Sequence, residues 1–330
     1  MAGRTLVIVN PKSRGGATGH RWPAVEAKLR DALGRLDVEM TRGPRDAERI
    51  AREGVRAGAE LVIAAGGDGT ASEVVAGILG AGLGAYAEVA MLPLGTGGDL
   101  GRTLGASERS ERAASRRRAK FIGWGVDEAR LDDAIARIAA GKSRPIDAGR
   151  ARFVARDGRE LSTHFVNIAS LGLSGLVTQL VNEAPKTLGG RASFFLGTLR
   201  AIARWHAVPV AIRLDGALVH DGLLHLACVA NGRYFGGGMH AAPDARVDDG
   251  RFDLVLFRGD CSKSYLLRKF PSIYGGKHLA LDEVSQQRGV VVEAGSSADL
   301  WLEIDGEPLG RAPARFECLP GALRLRGGDA

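Results

Sequence analysis

Short apolar runs that end directly on glycine-rich loops constrain this sequence more than any other feature. Leu-Val-Ile-Ala-Ala at 61–65 leads straight into Gly66-Gly67-Asp68-Gly69-Thr70. Val-Ala-Met-Leu at 89–92 leads into Pro93-Leu94-Gly95-Thr96-Gly97-Gly98-Asp99, and the run at 5–9 ends at Asn10 and Pro11. Runs this short, apolar throughout, read as strands buried on both faces. Residues 38–41 supply a further strand. Helical spacing fills the intervals: Trp22, Val25, Leu29 and Leu33 in 21–33, then 46–57 with Asp46 as the expected N-cap, then 71–79 and 131–140. Strands alternating with helices imply a parallel sheet covered on both faces. Ligands bind such sheets at the carboxyl ends of the strands, where these loops sit.

The pattern changes near Pro145. Strands are expected at 151–154, 161–168, 209–214, 223–230, 251–257, 290–294, 300–304, 315–318 and 322–326. Helices are expected at 173–182, about 187–205 and 262–274. Turn pairs (Asp215 with Gly216, Asp249 with Gly250, Asp305 with Gly306) suit an antiparallel sandwich or barrel. The chain therefore reads as two domains, 1–145 and 146–330, the last strands free to return to the first. A length of 330 residues agrees, at roughly 150 per domain.

Composition narrows the function classes. No apolar run reaches the roughly 20 residues of a membrane-spanning helix, and the first residues lack a signal-peptide pattern. The 3 cysteines, Cys228, Cys261 and Cys318, are far apart, against a disulfide framework or a cysteine-based zinc site. A reducing cytoplasm is the expected compartment. The net charge of +7 is partly local, with six basic residues against one acid in 109–120. That stretch is either a solvated insertion or a surface drawn to anionic lipid. Sparse aromatics between the basic residues argue against sequence-specific RNA binding, and no nucleic-acid partner is expected.

The loops carry the chemistry. Backbone amides at 66–70, opening onto a helix, suit an anion. Asp68 has the wrong sign for direct phosphate contact, so its carboxylate is expected to reach a metal ion or a reacting hydroxyl. The first loop, Asn10-Pro11-Lys12-Ser13-Arg14-Gly15-Gly16, is neither a Walker P-loop nor a GxGxxG dinucleotide turn.

Taken together, these motifs resemble the diacylglycerol kinase catalytic-domain family, which includes sphingosine and ceramide kinases and bacterial lipid kinases. The resemblance runs from about residue 5 to 325. It rests on VNPKSRGG at 9–16, AGGDGTASEVVAGI at 65–78 and LPLGTGGDLGRTLG at 92–105. It continues through NIASLGLSG at 167–175, VANGRYFGGGMHAAPDARVDDGRFDL at 229–254 and EIDGEPLG at 303–310. GGDG alone is shared with NAD kinases and phosphofructokinases; the ordered set is specific.

The resemblance implies a Rossmann-like first domain of the NAD kinase and phosphofructokinase type, a β-rich sandwich as the second, and an active site in the cleft between them. It implies transfer of the γ-phosphoryl of ATP, with Mg²⁺, to a lipid hydroxyl at a membrane surface. The family's nucleotide positions fall on Asn10, Pro11, Lys12, Ser13, Arg14, Thr41, Gly67, Asp68, Gly69, Thr70, Ala71, Ser72, Glu73 and Thr96. Glu307 corresponds to the general base and Asp68 to the essential acid; Asp99 and Arg102 fall on the substrate side. The family's metal site falls on the Asp249 carboxylate with main-chain oxygens of Arg246 and Arg251.

One departure stands out: Gly98 occupies a position usually held by Asn, which puts the usual substrate or full activity in question. The 106–126 stretch is longer and more basic than in most bacterial members. The segment 187–205 mixes Leu188, Phe194, Phe195, Leu196, Leu199, Ile202 and Trp205 with Lys186, Arg191, Arg200 and Arg204. That mixture suits an interfacial face, a lipid-pocket wall or a helix packed on its own domain. A same-fold kinase of another hydroxyl, a non-catalytic nucleotide- or lipid-binding regulator, and a homodimer all stay open.

Overall fold

The computed structural model describes residues 3–95, 98–104, 128–183 and 190–328. Thr96, the basic stretch at 106–126 and residues 187–189 of the expected helix lie outside them. The chain divides into two compact units, Met1–Ile146 with Gly321–Ala330, and Asp147–Pro320.

The first unit holds β1 (Thr5–Val9), β2 (Asp37–Met40), β3 (Leu61–Gly66) and β4 (Glu88–Pro93). All pair in parallel, in the order β2-β1-β3-β4, with Val7 opposite Val38 and Ile63, and Ala64 opposite Met91. Arg324 and Leu325, near the chain's end, lie parallel to β4. Every residue of β3 is buried, as its unbroken apolar run requires. The helices are α1 (Ala17–Leu33), α2 (Asp46–Arg56), α3 (Asp68–Gly80), α4 (Asp99–Thr103) and α5 (Glu128–Ala139). Trp22, Val25 and Leu29 of α1 pack with Leu131, Ile135 and Ile138 of α5 over Val7, Ile63 and Leu92.

Two helix starts differ from expectation. Asp46 is not the N-cap of α2: Arg45 holds that position at a left-handed φ of 62°, and Asp46 lies in the first turn, accepting from the Arg42 amide at 2.8 Å. The start is secured instead by Glu73 of α3, which accepts from the amides of Arg45 and Ala47 at 3.0 and 3.1 Å. Helix α3 begins at Asp68, not at residue 71, so the glycine-rich motif forms its first turn rather than a separate loop.

The second unit is antiparallel. Its strands are β5 (Ser143–Ala155), β6 (Glu160–Phe165), β7 (Ile168–Gly172), β8 (Val208–Leu214), β9 (Ala217–Ala230), the short pair β10 (Tyr234–Phe235) and β11 (Met239–His240), β12 (Phe252–Arg258), β13 (Val284–Gly289), β14 (Val291–Gly295), β15 (Trp301–Ile304) and β16 (Glu307–Arg326). The pairing closes on itself: β16 to β14, β14 to β8, β8 to β9, β9 to β7, β7 to β15, and β15 back to β16. Phe165, Phe252 and Phe316 fill the core, with ring centroids 5.6 and 6.3 Å apart. The long strand β16 merges the two strands expected at 315–318 and 322–326, running through Pro313 and Pro320. Strand β13, rich in polar residues, carried no apolar signal; it pairs with β12. Helices α6 (Leu173–Glu183), α7 (Gly190–Arg204) and α8 (Lys263–Lys269) complete the unit.

Candidate functional site

In the first unit the parallel pairing brings the loops after β1, β2, β3 and β4 to one edge of the sheet. Asn10 joins two of them: its amide donates to Ala65 O at 3.0 Å and its Nδ2 to Thr70 Oγ1 at 3.2 Å, while its Oδ1 accepts from the Lys12 amide at 3.1 Å. Thr41, buried after β2, donates its amide to Val9 O at 2.8 Å. Ser13 pairs with Thr18, whose hydroxyl donates to Leu94 O at 3.2 Å. Lys12 is exposed, Pro11 half-buried, and Arg14 half-buried at a left-handed φ of 54°.

Gly67 forms the N-cap of α3 and has no side chain with which to cap that end. The first amides of a helix have no partner within it, so 68–70 offer N–H donors backed by the helix dipole. The loop after β4 approaches them backbone to backbone. A Cβ on Gly95 would lie 2.3 Å from Gly67 Cα, which only glycine at 95 avoids. The Asp68 carboxylate then joins the two motifs: its Oδ2 accepts from the amides of Gly98 and Asp99, both at 2.9 Å. One of its oxygens is thereby engaged at the start of α4. Among the described residues, Oδ1 keeps no protein partner.

Gly98 sits at φ 85°, in the left-handed region, with no atom within 4 Å of a built Cβ. Glycine and asparagine are the residues that adopt this conformation most readily. The exchange at 98 therefore preserves the backbone and removes only a side-chain amide. Asp99 is buried and pairs with Arg102 within α4. Gly69 is exposed, Ser72 half-buried and Ala71 buried. Glu73 has both oxygens on the α2 amides, and burial pushes its pKa up.

The second unit holds the other candidates. Asp305, at φ 48°, accepts from the amides of Val166, Asn167 and Ile168 at 3.2, 3.1 and 3.0 Å, which fixes the turn carrying Glu307. Glu307 is exposed at the start of β16. Two residues before Asp305, Glu303 is buried; it accepts from Ser170 Oγ at 2.6 Å and from the Gly306 amide. Burial pushes its pKa up to about 7. Sequence reasoning missed Glu303, whose signal was an acid inside the apolar run Leu-Trp-Leu-Glu-Ile.

It also missed Asp147, buried, which accepts from the Gly250 amide at 2.7 Å and so shapes the Asp249 turn. Asp249 is half-buried and accepts from the Arg251 amide at 3.2 Å; Arg246 is exposed and pairs with Asp248. Among the described residues, no group of three or more His, Cys, Asp or Glu is placed to hold a metal. The expected set has one carboxylate and two main-chain oxygens, an all-oxygen donor set of the kind hard cations take.

An apolar cavity opens in the same unit. Leu173 and Val177 of α6, Ile202 of α7, Leu266 of α8, Phe257 and Phe270 line it, and Glu303 and Ser174 lie on its wall. Its interior volume is about 80 Å³. The expected segment 187–205 thus contributes a pocket wall through Ile202, while Phe195 and Leu196 on the same helix are exposed. No helix among the described residues is long and apolar enough to cross a membrane.

Comparison with known proteins gives these features a context. Residues 4–151 match the diacylglycerol kinase catalytic domain, and residues 167–327 match the YegS C-terminal NAD kinase beta sandwich-like domain. A "Diacylglycerol kinase" of Mycobacterium tuberculosis (strain ATCC 25618 / H37Rv) is 28% identical over 326 residues, covering 98% of this chain and 94% of that protein. A "Probable lipid kinase YegS-like" of Pseudomonas putida is 32% identical over 298 residues, covering 90% of this chain and 87% of the relative. A solved diacylglycerol kinase structure from Bacillus anthracis str. Sterne shares the fold, with a TM-score of 0.69 at 20% identity over 98% of this chain and 96% of the other. Yeast NADH kinase shares it more distantly, with a TM-score of 0.53 at 11% identity over 99% and 83%.

Proposed function

This chain belongs to the diacylglycerol kinase family of lipid kinases, and on that premise we propose that it transfers the γ-phosphoryl group of ATP to the hydroxyl of a lipid. The observation that carries the reading is the Asp68 carboxylate holding the amides of Gly98 and Asp99 beside the glycine-capped N-terminus of α3.

Phosphoryl transfer depends on positioning and charge neutralisation more than on covalent chemistry. The amides of the first turn of α3 receive phosphate oxygens. Asn10, Thr41 and Thr70 keep the adjoining loops in register for the rest of the nucleotide. Mg²⁺ would supply positive charge for the transfer; in the second unit, Asp249 with the main-chain oxygens of Arg246 and Arg251 would be the donors suited to a hard cation. Glu307, exposed on a turn locked by Asp305, accepts the proton of the lipid hydroxyl as the new P–O bond forms. Asp68 is a positioning residue with one oxygen left to face the nucleotide.

The apolar cavity of the second unit takes the lipid's hydrocarbon. Phe195 and Leu196, exposed on α7 with Arg200 and Arg204 on the same helix, form the face that meets an anionic membrane surface. Radiolabelled ATP with Mg²⁺, offered with diacylglycerol, sphingosine, ceramide and phosphatidylglycerol in mixed micelles, tests the proposal. A labelled lipid that vanishes in Asp68→Ala supports it. Absence of any labelled lipid despite ATP binding favours a non-catalytic regulator instead.

A further inference from the structure

The turn that carries Glu307 has little regular ladder behind it. Asp305 and Gly306 both hold left-handed backbone, at φ 48° and 91°, as the central residues of a two-residue hairpin turn require. Ile304 faces Glu307 and Glu303 faces Pro308, and the register then shifts between Leu302 and Glu303. Two rungs of pairing therefore separate the turn from an irregularity of the kind that bends a strand. Asp305 anchors the near side of the turn on the amides of Val166, Asn167 and Ile168. Gly306, on the far side, is exposed, and its amide donates to Glu303 Oε1.

Glu303 is itself held from below. Its Oε2 lies 2.6 Å from Ser170 Oγ on β7, and that hydroxyl lies 2.8 Å from Ser174 Oγ in the first turn of α6. All three side chains are buried. A hydroxyl both donates and accepts, so the chain closes whether Glu303 is ionised or carries its proton. Burying a carboxyl costs free energy that a bare hairpin avoids. Water would satisfy the exposed Gly306 amide equally well, so the fold does not need Glu303 for that bond. What Glu303 adds is a fixed anchor one residue from Glu307. We infer that Glu303 is a positioning residue for phosphoryl transfer, holding through Gly306 the turn that presents Glu307 to the acceptor hydroxyl. The inference rests on the base role given to Glu307 above and extends it to the residue behind the turn.

The test measures kcat and both KM values of the full-length protein, with radiolabelled ATP and the labelled member of the diacylglycerol, sphingosine, ceramide and phosphatidylglycerol panel. Glu303→Leu fills a similar space without an acceptor. Its melting temperature should not fall, because a buried carboxyl gives way to an apolar side chain. Both KM values should stay within about twofold while kcat falls about tenfold, since small misplacements of a reacting group are costly. Glu303→Gln accepts from Gly306 and donates to Ser170, and should bring kcat back to within about threefold of the unmodified protein. On a Glu307→Gln background, Glu303→Leu should cost nothing further, because its effect passes through Glu307.

Unchanged kcat in Glu303→Leu overturns the inference and leaves the base role of Glu307 intact. A loss of the same size with and without the Glu307 carboxylate also overturns it, as does a Glu303→Gln no faster than Glu303→Leu. Near-normal labelling by Glu307→Gln alone, or no labelled lipid from the unmodified protein, sinks the reading of the site and the inference with it. Amide hydrogen exchange of the unmodified protein gives a second check. Gly306 N–H should exchange at least about tenfold more slowly than an open amide. Exchange at the open rate overturns the inference however the variants fold.

Discussion

Both units fix a turn with a carboxylate that receives backbone amides, but at different depths. Asp68 is half-buried, holds two amides through one oxygen and keeps the other available. Glu303 is buried, with one oxygen on Ser170 and the other on the Gly306 amide. A shallow carboxylate orders a loop and still presents charge to a ligand. A deep one orders its turn at a desolvation cost that favours the proton-bearing form. The first suits a polyanionic nucleotide and its counter-ion; the second suits the dry wall of an apolar cavity.

Breaking the shallow carboxylate should have a larger effect on turnover than breaking the deep one. Asp68→Ala removes the acceptor for two amides and frees the loop from α3. Turnover is expected to fall about 10²–10³-fold, as when a preorganised electrostatic contact is lost. Asp68→Asn, which keeps an acceptor oxygen, should retain more of the fold's stability than of the activity. Denaturant melts alongside the lipid-labelling assay separate the two effects.

The deep carboxylate sharpens the comparison through pH. Glu303 keeps its proton to about 7 in the folded chain, against 4.5 for an ordinary glutamate. The unfolded chain releases that proton first. The stabilisation is therefore complete below pH 4.5 and is lost as pH rises through about 7. The loss amounts to about 3 kcal/mol across the window. Glu303→Gln should flatten this part of the stability curve, which urea midpoints at pH 5 and 7.5 measure. An unchanged slope contradicts the assignment.

Asp305→Ala comes next. It strips the partner from three amides that a single carboxylate serves, and should cost about 2 kcal/mol of stability. Gly98→Asn should change stability least, by about 0.5 kcal/mol or less, because asparagine tolerates the left-handed backbone and open space surrounds the position. If its labelling pattern across lipids shifts while stability holds, the missing side-chain amide acts on substrate choice.

How much the sequence revealed follows the same division. The parallel sheet and the loops at its strand ends were legible because each motif is contiguous and each strand is apolar throughout. The carboxylate contacts were not. Asp68 reaches amides thirty positions on, and Glu73 caps a helix that begins with a residue 27 positions before it. Local pattern assigned that cap to Asp46 instead. In the second unit the strands were largely visible, but β16 was divided at its prolines. Asp147 escaped because its partner, Gly250, comes from a distant segment; of the cavity, only the wall on 187–205 was legible. Thr96 and the basic 106–126 stretch lie outside the described residues.

The most direct test of the account is a paired measurement on Glu307→Gln. Glu307 is exposed, so the substitution should leave the melting curve and ATP affinity close to those of the unmodified protein. Lipid labelling should fall about 10²–10⁴-fold with the loss of a general base. ATP binding retained with labelling lost is the predicted result; near-normal lipid labelling by Glu307→Gln contradicts the account.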